Sequence, residues 1–100
     1  MAKYTVEFLE EFENDLAQLD RAVQQRIMKW ILKHLHNVDF PSRPGKMLTG
    51  NLGGYVRFRP MKDYRIVALI EDDVFKIVCV LVGHRSVIYK KSPKSENKKQ

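Results

Sequence analysis

Apolar and polar residues alternate from Lys3 to Phe8, with Tyr4, Val6 and Phe8 set against Lys3, Thr5 and Glu7. A period of two predicts a half-buried strand. From Leu9 the period lengthens: Phe8, Phe12, Leu16 and Leu19 recur every three or four residues, as one face of a short helix does. Glu10, Glu11 and Glu13 crowd its first turns, where the helix dipole favours carboxylates. Asp20 reads as the N-cap of a second helix. Its apolar stripe is Val23, Ile27, Trp30, Ile31, Leu35 and Val38, while Arg21, Arg26, Lys29 and Lys33 point elsewhere. So short a connection predicts an antiparallel helical hairpin. Pro41, Pro44 and Gly45 end it, and Phe40 to Gly54 reads as a loop.

Strand signals follow. Tyr55 to Arg59 alternates, placing Tyr55, Arg57 and Arg59 on one face and Val56 and Phe58 on the other. Tyr64 to Ile70 is more apolar, Glu71-Asp72-Asp73 makes a tight turn, and Val74 to Val82 is apolar apart from Lys76. Such a run suits a central strand covered on both faces. A short segment after Gly83 ends at Tyr89. Lys90 to Gln100, rich in lysine and serine, predicts a flexible basic tail after a single domain of residues 1–89. Short connections imply antiparallel pairing. The expected fold is α+β: an N-terminal strand, then a helical hairpin on one face of a mostly antiparallel sheet of four to five strands. The other face is left for function.

Charge sharpens this picture. The formal net charge is +6, yet six of twelve acids (Glu7, Glu10, Glu11, Glu13, Asp15 and Asp20) lie in the first twenty residues. Arg43, Lys46, Arg57, Arg59, Lys62 and Arg65 share their stretch with one acid, Asp63. A segregated positive surface favours polyanions, because neutralised phosphates release condensed counterions. No apolar run reaches the length of a membrane span, and Met1-Ala2-Lys3-Tyr4 lacks a signal peptide's apolar stretch. A lone Cys79 excludes an internal disulfide and offers no cysteine cluster for a metal. The expectation is a cytoplasmic protein with no membrane association, no metal and no cofactor.

The candidate chemistry lies at strand ends. Arg57 and Arg59 alternate on one strand, Arg65 opens the next, and His84-Arg85 ends the long apolar run. Antiparallel neighbours bring residues of one parity to one face, so these guanidinium groups can converge on a phosphodiester. Taken singly, each has a plainer reading. Arg57, Arg59 and Lys62 suit a solvated strand edge, and Arg65 could pair with Asp63, Glu71 or Asp72. His84 suits a general acid or base, or a strand-end group bonded to backbone. Tyr89 could donate a proton, stack on a base or cover the core edge. Trp30, Tyr55, Tyr64 and Cys79 read as packing. No phosphate loop or serine elbow is present in the sequence, and the acids, mostly on the first helix and in the Glu71–Asp73 turn, give a paired-carboxylate mechanism no obvious home.

With these residues named, Lys3 to Tyr89 resembles the RelE/ParE superfamily of bacterial toxin–antitoxin systems, and its ribosome-dependent mRNA-cleaving branch in particular. The resemblance rests on Lys46-Met47-Leu48-Thr49-Gly50, on Tyr55-Val56-Arg57-Phe58-Arg59 leading to Asp63-Tyr64-Arg65-Ile66-Val67, and on Val82-Gly83-His84-Arg85 followed by Tyr89. It implies an endoribonuclease in which a 2′-hydroxyl attacks the neighbouring phosphate. Arg65 and Arg85 would stabilise that phosphate, Tyr89 would stack or exchange a proton, and His84 is a further acid–base candidate. Arg57, Arg59, Lys46 and Lys62 would bind RNA. Some relatives carry two lysines on the Val56–Arg59 strand; aligned without a gap those positions fall on Val56 and Phe58, so catalysis by Arg57 and Arg59 stays open. The implied partners are a cognate antitoxin, the ribosome and mRNA, with operator DNA bound through the antitoxin. Two other readings share the scaffold: a ParE-like inhibitor of DNA gyrase, and an RNA-binding module without catalysis. The catalytic reading requires Arg65 and Arg85 to face one surface without both being neutralised by carboxylates.

Overall fold

The computed structural model describes residues 3–91 and 93. The N-terminal alternation forms β1 (Thr5–Phe8), and the two helical stripes form α1 (Glu10–Ala17) and α2 (Arg21–His34). Asp20 occupies the N-cap position, but its side chain makes no capping bond; its carbonyl accepts from Gln24 N at 2.9 Å. The expected loop contains a two-residue strand, β2 (Lys46–Met47), and one tight turn at Gly50–Leu52. Then come β3 (Val56–Met61), β4 (Tyr64–Glu71), β5 (Lys76–His84) and a single helical turn, α3 (Arg85–Ile88). The long apolar run starts its strand at Lys76 rather than Val74, because a turn at Asp72–Val74 ends on Phe75 in a left-handed conformation (φ 54°). Among the described residues no helix is long and apolar enough to cross a membrane.

The sheet order is β1-β5-β4-β3-β2, with β1 parallel to β5 and the remaining pairs antiparallel. Phe12 of α1 and Ile27 and Ile31 of α2 pack on Val56, Phe58, Ile66, Ala68, Ile77, Cys79 and Val82. Each such side chain stabilises the fold by roughly 1.5–3 kcal/mol when buried. The opposite face is covered as well, in keeping with the covering on both faces expected for the long apolar run. Leu52, Tyr55 and Ile88 cover Val67, Val78, Val80 and Leu81 in a second apolar layer.

Two bulges interrupt the register of the sheet. Ala68 pairs with Cys79 but Val67 pairs with Leu81, so Val80 is an extra residue. Cys79 and Val82 therefore face the helices, while Val80 and Leu81 both face the second layer. In β3, Phe58 pairs with Ile66 and Met61 with Tyr64, leaving Arg59 and Pro60 opposite Arg65. Proline has no N–H to continue the ladder, so the strand bulges there.

The edge of β5 has its own device. β1 ends at Phe8 opposite Cys79, so the outer edge of β5 beyond that point has no strand partner. Asp15 of α1 supplies an acceptor: its Oδ2 takes the Val82 N–H at 3.4 Å and its Oδ1 takes Lys91 Nζ at 2.8 Å. Lys91 N also donates to Ile88 O at 3.3 Å, and Pro93 is buried. The chain is thus held past Tyr89, beyond the end expected for the ordered domain. Residues 92 and 94–100 of the expected tail lie outside the described residues.

Two outcomes follow. A Cβ at Gly45 would stand 2.5 Å from Val56 Cγ1 and 2.8 Å from Phe58 Cε1, both in the core. Gly45→Ala should therefore lower stability by about 1–3 kcal/mol in urea unfolding, with little change in the slope. Burial pushes the Cys79 thiol up to about 12, from an ordinary 9.0. The unfolded thiol ionises first as pH rises, so its contribution is intact below pH 9 and is lost between 9 and about 12. Cys79→Ala should remove that part of the alkaline decline, and the native thiol should resist a disulfide reagent at neutral pH until denaturant is added.

Candidate active-site cleft

At the end of the second-layer face, Arg57, Arg65, His84, Arg85, Ser86 and Tyr89 line an open cleft of about 450 Å³. Three elements deliver them. Arg57 lies opposite Val67 in the β3–β4 ladder, and Arg65 is two residues before Val67 on the same face. Arg65 in turn pairs with Gly83, which brings the β5 end and the start of α3 alongside. Among the described residues no carboxylate lines the cleft.

Arg65 is 7% exposed, a buried cation in need of acceptors. Its Nη1 donates to the carbonyls of Lys62 at 2.9 Å, Tyr64 at 3.0 Å and Met61 at 3.4 Å, all around the β3–β4 turn. None of these bonds uses Nε or Nη2. The backbone therefore anchors one corner of the guanidinium and leaves its charge without a carboxylate. Arg57 is half-buried, and its Nε donates to no group among the described residues. A buried donor without an acceptor is costly, and a phosphate oxygen in the cleft would relieve it.

Arg85 is arranged differently. Its backbone N–H donates to Asp63 O at 2.8 Å, and its Nε lies 3.3 Å from Asp63 Oδ1. Both side chains are about half exposed, so this ion pair is weak and exchangeable, at roughly 0–1 kcal/mol. His84 caps α3: its Nδ1 accepts the Ser86 N–H at 3.1 Å and lies 2.9 Å from Ser86 Oγ. In the neutral ring this leaves Nε2 as the protonated nitrogen. The ring also meets Tyr64 edge-on, with centroids 5.5 Å apart. The backbone-bonded role read for His84 is thus present, and only Nε2 remains for proton transfer. Tyr89 closes α3 as its C-cap and is 42% exposed.

The structure therefore gathers Arg57, Arg65, His84, Arg85 and Tyr89, and leaves three other candidates outside the cleft. Arg59 is exposed in the bulge and lies outside the cleft lining, although the alternation of Tyr55 to Arg59 groups it with Arg57. Lys46 pairs with Arg57 across β2 and β3 but is exposed beyond the lining. Lys62 contributes its carbonyl to Arg65 while its side chain is exposed. Arg65 bonds to carbonyls rather than to Asp63, Glu71 or Asp72, and Asp63 meets Arg85 instead. Sequence reasoning missed Ser86; the spacing His84-Arg85-Ser86, a capping residue two before a serine at a helix start, is the signal that could have found it.

Comparison with known proteins matches this geometry to a family. The sequence model described as the ParE toxin of type II toxin-antitoxin system, parDE, matches residues 6–89. The fold is similar to the toxin–antitoxin complex RelBE2 of Mycobacterium tuberculosis, with TM-score 0.74 and 28% identity over 84% of this chain and 100% of that chain. It is similar to YafQ of Escherichia coli strain BL21(DE3), with TM-score 0.68 and 14% identity over 87% of this chain and 99% of that one. It is also similar to a free-state mutant of the toxin RelE of Escherichia coli, with TM-score 0.68 and 17% identity over 96% and 98%. No curated protein sequence matches the chain. The match across nearly the whole folded region, on a RelE-like α+β scaffold, means that this chain belongs to the ParE toxin family of type II toxin–antitoxin systems, within the RelE/ParE superfamily.

Proposed function

We propose that this toxin is an endoribonuclease that cleaves mRNA on the ribosome and so stops translation. The observation that carries the reading is the cleft itself: three guanidinium groups, a tyrosine and a histidine meet with no carboxylate in the lining among the described residues. Such a site suits a reaction whose difficulty is negative charge accumulating on phosphorus. The substrate's 2′-hydroxyl gives its proton to solvent as its oxygen bonds to phosphorus, the bond to the 5′-oxygen breaks, and a cyclic phosphate and a 5′-hydroxyl result. Arg65 and Arg57 hold the non-bridging oxygens, and Arg85 joins them by exchanging Asp63 for phosphate. Tyr89 stacks on a base or supplies the proton that the departing 5′-oxygen takes up. The ribosome orients the RNA strand, which a small open cleft does not do unaided. A cognate antitoxin masks the cleft in the cytoplasm and provides the contact to operator DNA; RelBE2 of M. tuberculosis is itself a toxin–antitoxin complex.

A second reading, inhibition of DNA gyrase without RNA cleavage, is favoured by the ParE description of the matching family model and by the Arg85–Asp63 pair. Primer extension on mRNA translated by purified ribosomes separates the two. The ribonuclease reading expects new 5′ ends within the decoded codons, and intact mRNA together with inhibited gyrase would establish the second. Arg65→Ala and Arg85→Ala should each lower the single-turnover rate about 10²-fold or more. Tyr89→Ala should relieve growth arrest while circular dichroism shows a folded domain, because Tyr89 is half exposed outside the core. Full toxicity of a folded Arg85→Ala, Tyr89→Ala double variant would exclude this cleft as the active site.

A further inference from the structure

A second concentration of positive charge lies away from the cleft. Arg26, Lys29, Trp30, Lys33 and His34 of α2 border a shallow depression of about 360 Å³ closed by Pro60 of β3. Arg26, Lys29, Lys33 and His34 are all exposed, and none of the lysines or arginines makes an ion pair among the described residues. α2 contains no acidic residue at all. The helix dipole accounts for Lys33 and His34, which sit in the last turn, but not for Arg26 and Lys29 further in. Lys29 and Lys33 are four apart, a like-charge spacing that destabilises a helix slightly. An external polyanion would relieve that repulsion.

The position of this face matters as much as its charge. The β3 bulge is the border between the two basic regions: Arg57 lines the cleft, Pro60 lines the α2 depression, and Arg59 is exposed between them. From Arg57 to Pro60 is three residues of strand, roughly 10 Å. Arg26 to Lys33 adds about 10 Å of helix, the length of roughly three stacked nucleotides. Trp30 packs on Phe58 at 5.8 Å and on His34 at 4.8 Å, so an aromatic surface lies among the cations. Cations interleaved with an aromatic group suit a single strand of nucleic acid.

We infer that the α2 face of Arg26, Lys29 and Lys33 is a second RNA-backbone site, which takes the substrate strand as it leaves the cleft across the Arg59–Pro60 bulge. This rests on the ribonuclease reading for the identity of the strand, but not for the binding itself. Trp30 is the chain's one tryptophan, so its fluorescence reports this face directly.

The test uses uncleavable 2′-O-methyl RNAs of about 4 and about 12 nucleotides, with affinity followed by anisotropy across a salt series. The longer RNA should change Trp30 emission and the shorter should not. The triple variant Arg26→Gln, Lys29→Gln, Lys33→Gln should reduce the slope of log affinity against log salt by about 2 for the longer RNA. It should leave the shorter RNA unaffected. An unchanged slope in the triple variant, or saturating anisotropy with constant Trp30 emission, would overturn the inference. So would simultaneous binding of the short RNA and a separate RNA hairpin on α2, since the face would then serve a different RNA. Intact mRNA on ribosomes combined with the expected changes in slope and emission would refute the ribonuclease reading and leave this site standing.

Discussion

Arg65 sits inside the sheet with its Nη1 held by the carbonyls of Met61, Lys62 and Tyr64, and that anchorage fixes the buried centre of the cleft. A buried guanidinium is expensive to desolvate, and here the β3–β4 turn replaces water on one corner only. The same turn carries Asp63, whose carbonyl and carboxylate receive Arg85 at the start of α3. One tight connection thus sets Arg65 directly and Arg85 by contact. Two segments that are distant along the chain thereby acquire a common geometry.

Register does the remaining work. The extra residue at Val80 reverses the parity of β5, so that Gly83, with no side chain, falls opposite Arg65 on the cleft face. Without that reversal, β5 would send Leu81 toward the helices and Val82 toward the second layer. The bulge at Arg59–Pro60 interrupts the β3–β4 ladder opposite Arg65, and Arg59 lies exposed outside the cleft lining. At the open edge of β5, Asp15 joins α1, Val82 and Lys91, and so steadies the exit of α3 just beyond Tyr89.

Much of this was legible in the sequence, for identifiable reasons. The alternation from Tyr4 to Phe8 and the stripe from Val23 to Leu35 are long enough for period alone to decide the element. The meander of short connections implied antiparallel pairing, and the convergence of Arg57, Arg65 and Arg85 followed from parity. What was missed depends on counting across strands. The bulge at Val80 leaves no local mark in an apolar run, whereas Pro60 was a visible warning that the β3 ladder would break after Arg59. Arg85 and Asp63, like Lys91 and Asp15, are far apart in sequence and meet only after the sheet closes. Covering of the long apolar run on both faces was legible, but that Leu52, Tyr55 and Ile88 supply the second layer was not, because a glycine-rich segment and a four-residue helix carry weak periodic signals.

The central claim is that Arg57, Arg65 and Arg85 form one phosphate-binding unit. Nitrogen-15 NMR of the arginine Nε–H groups tests it most directly, during titration with an uncleavable 2′-O-methyl dinucleotide. The three cleft resonances should shift together along a single saturating curve, while exposed Arg43 stays in place. Non-saturating shifts, or shifts at Arg43 and Arg59 with Arg65 unmoved, would contradict it.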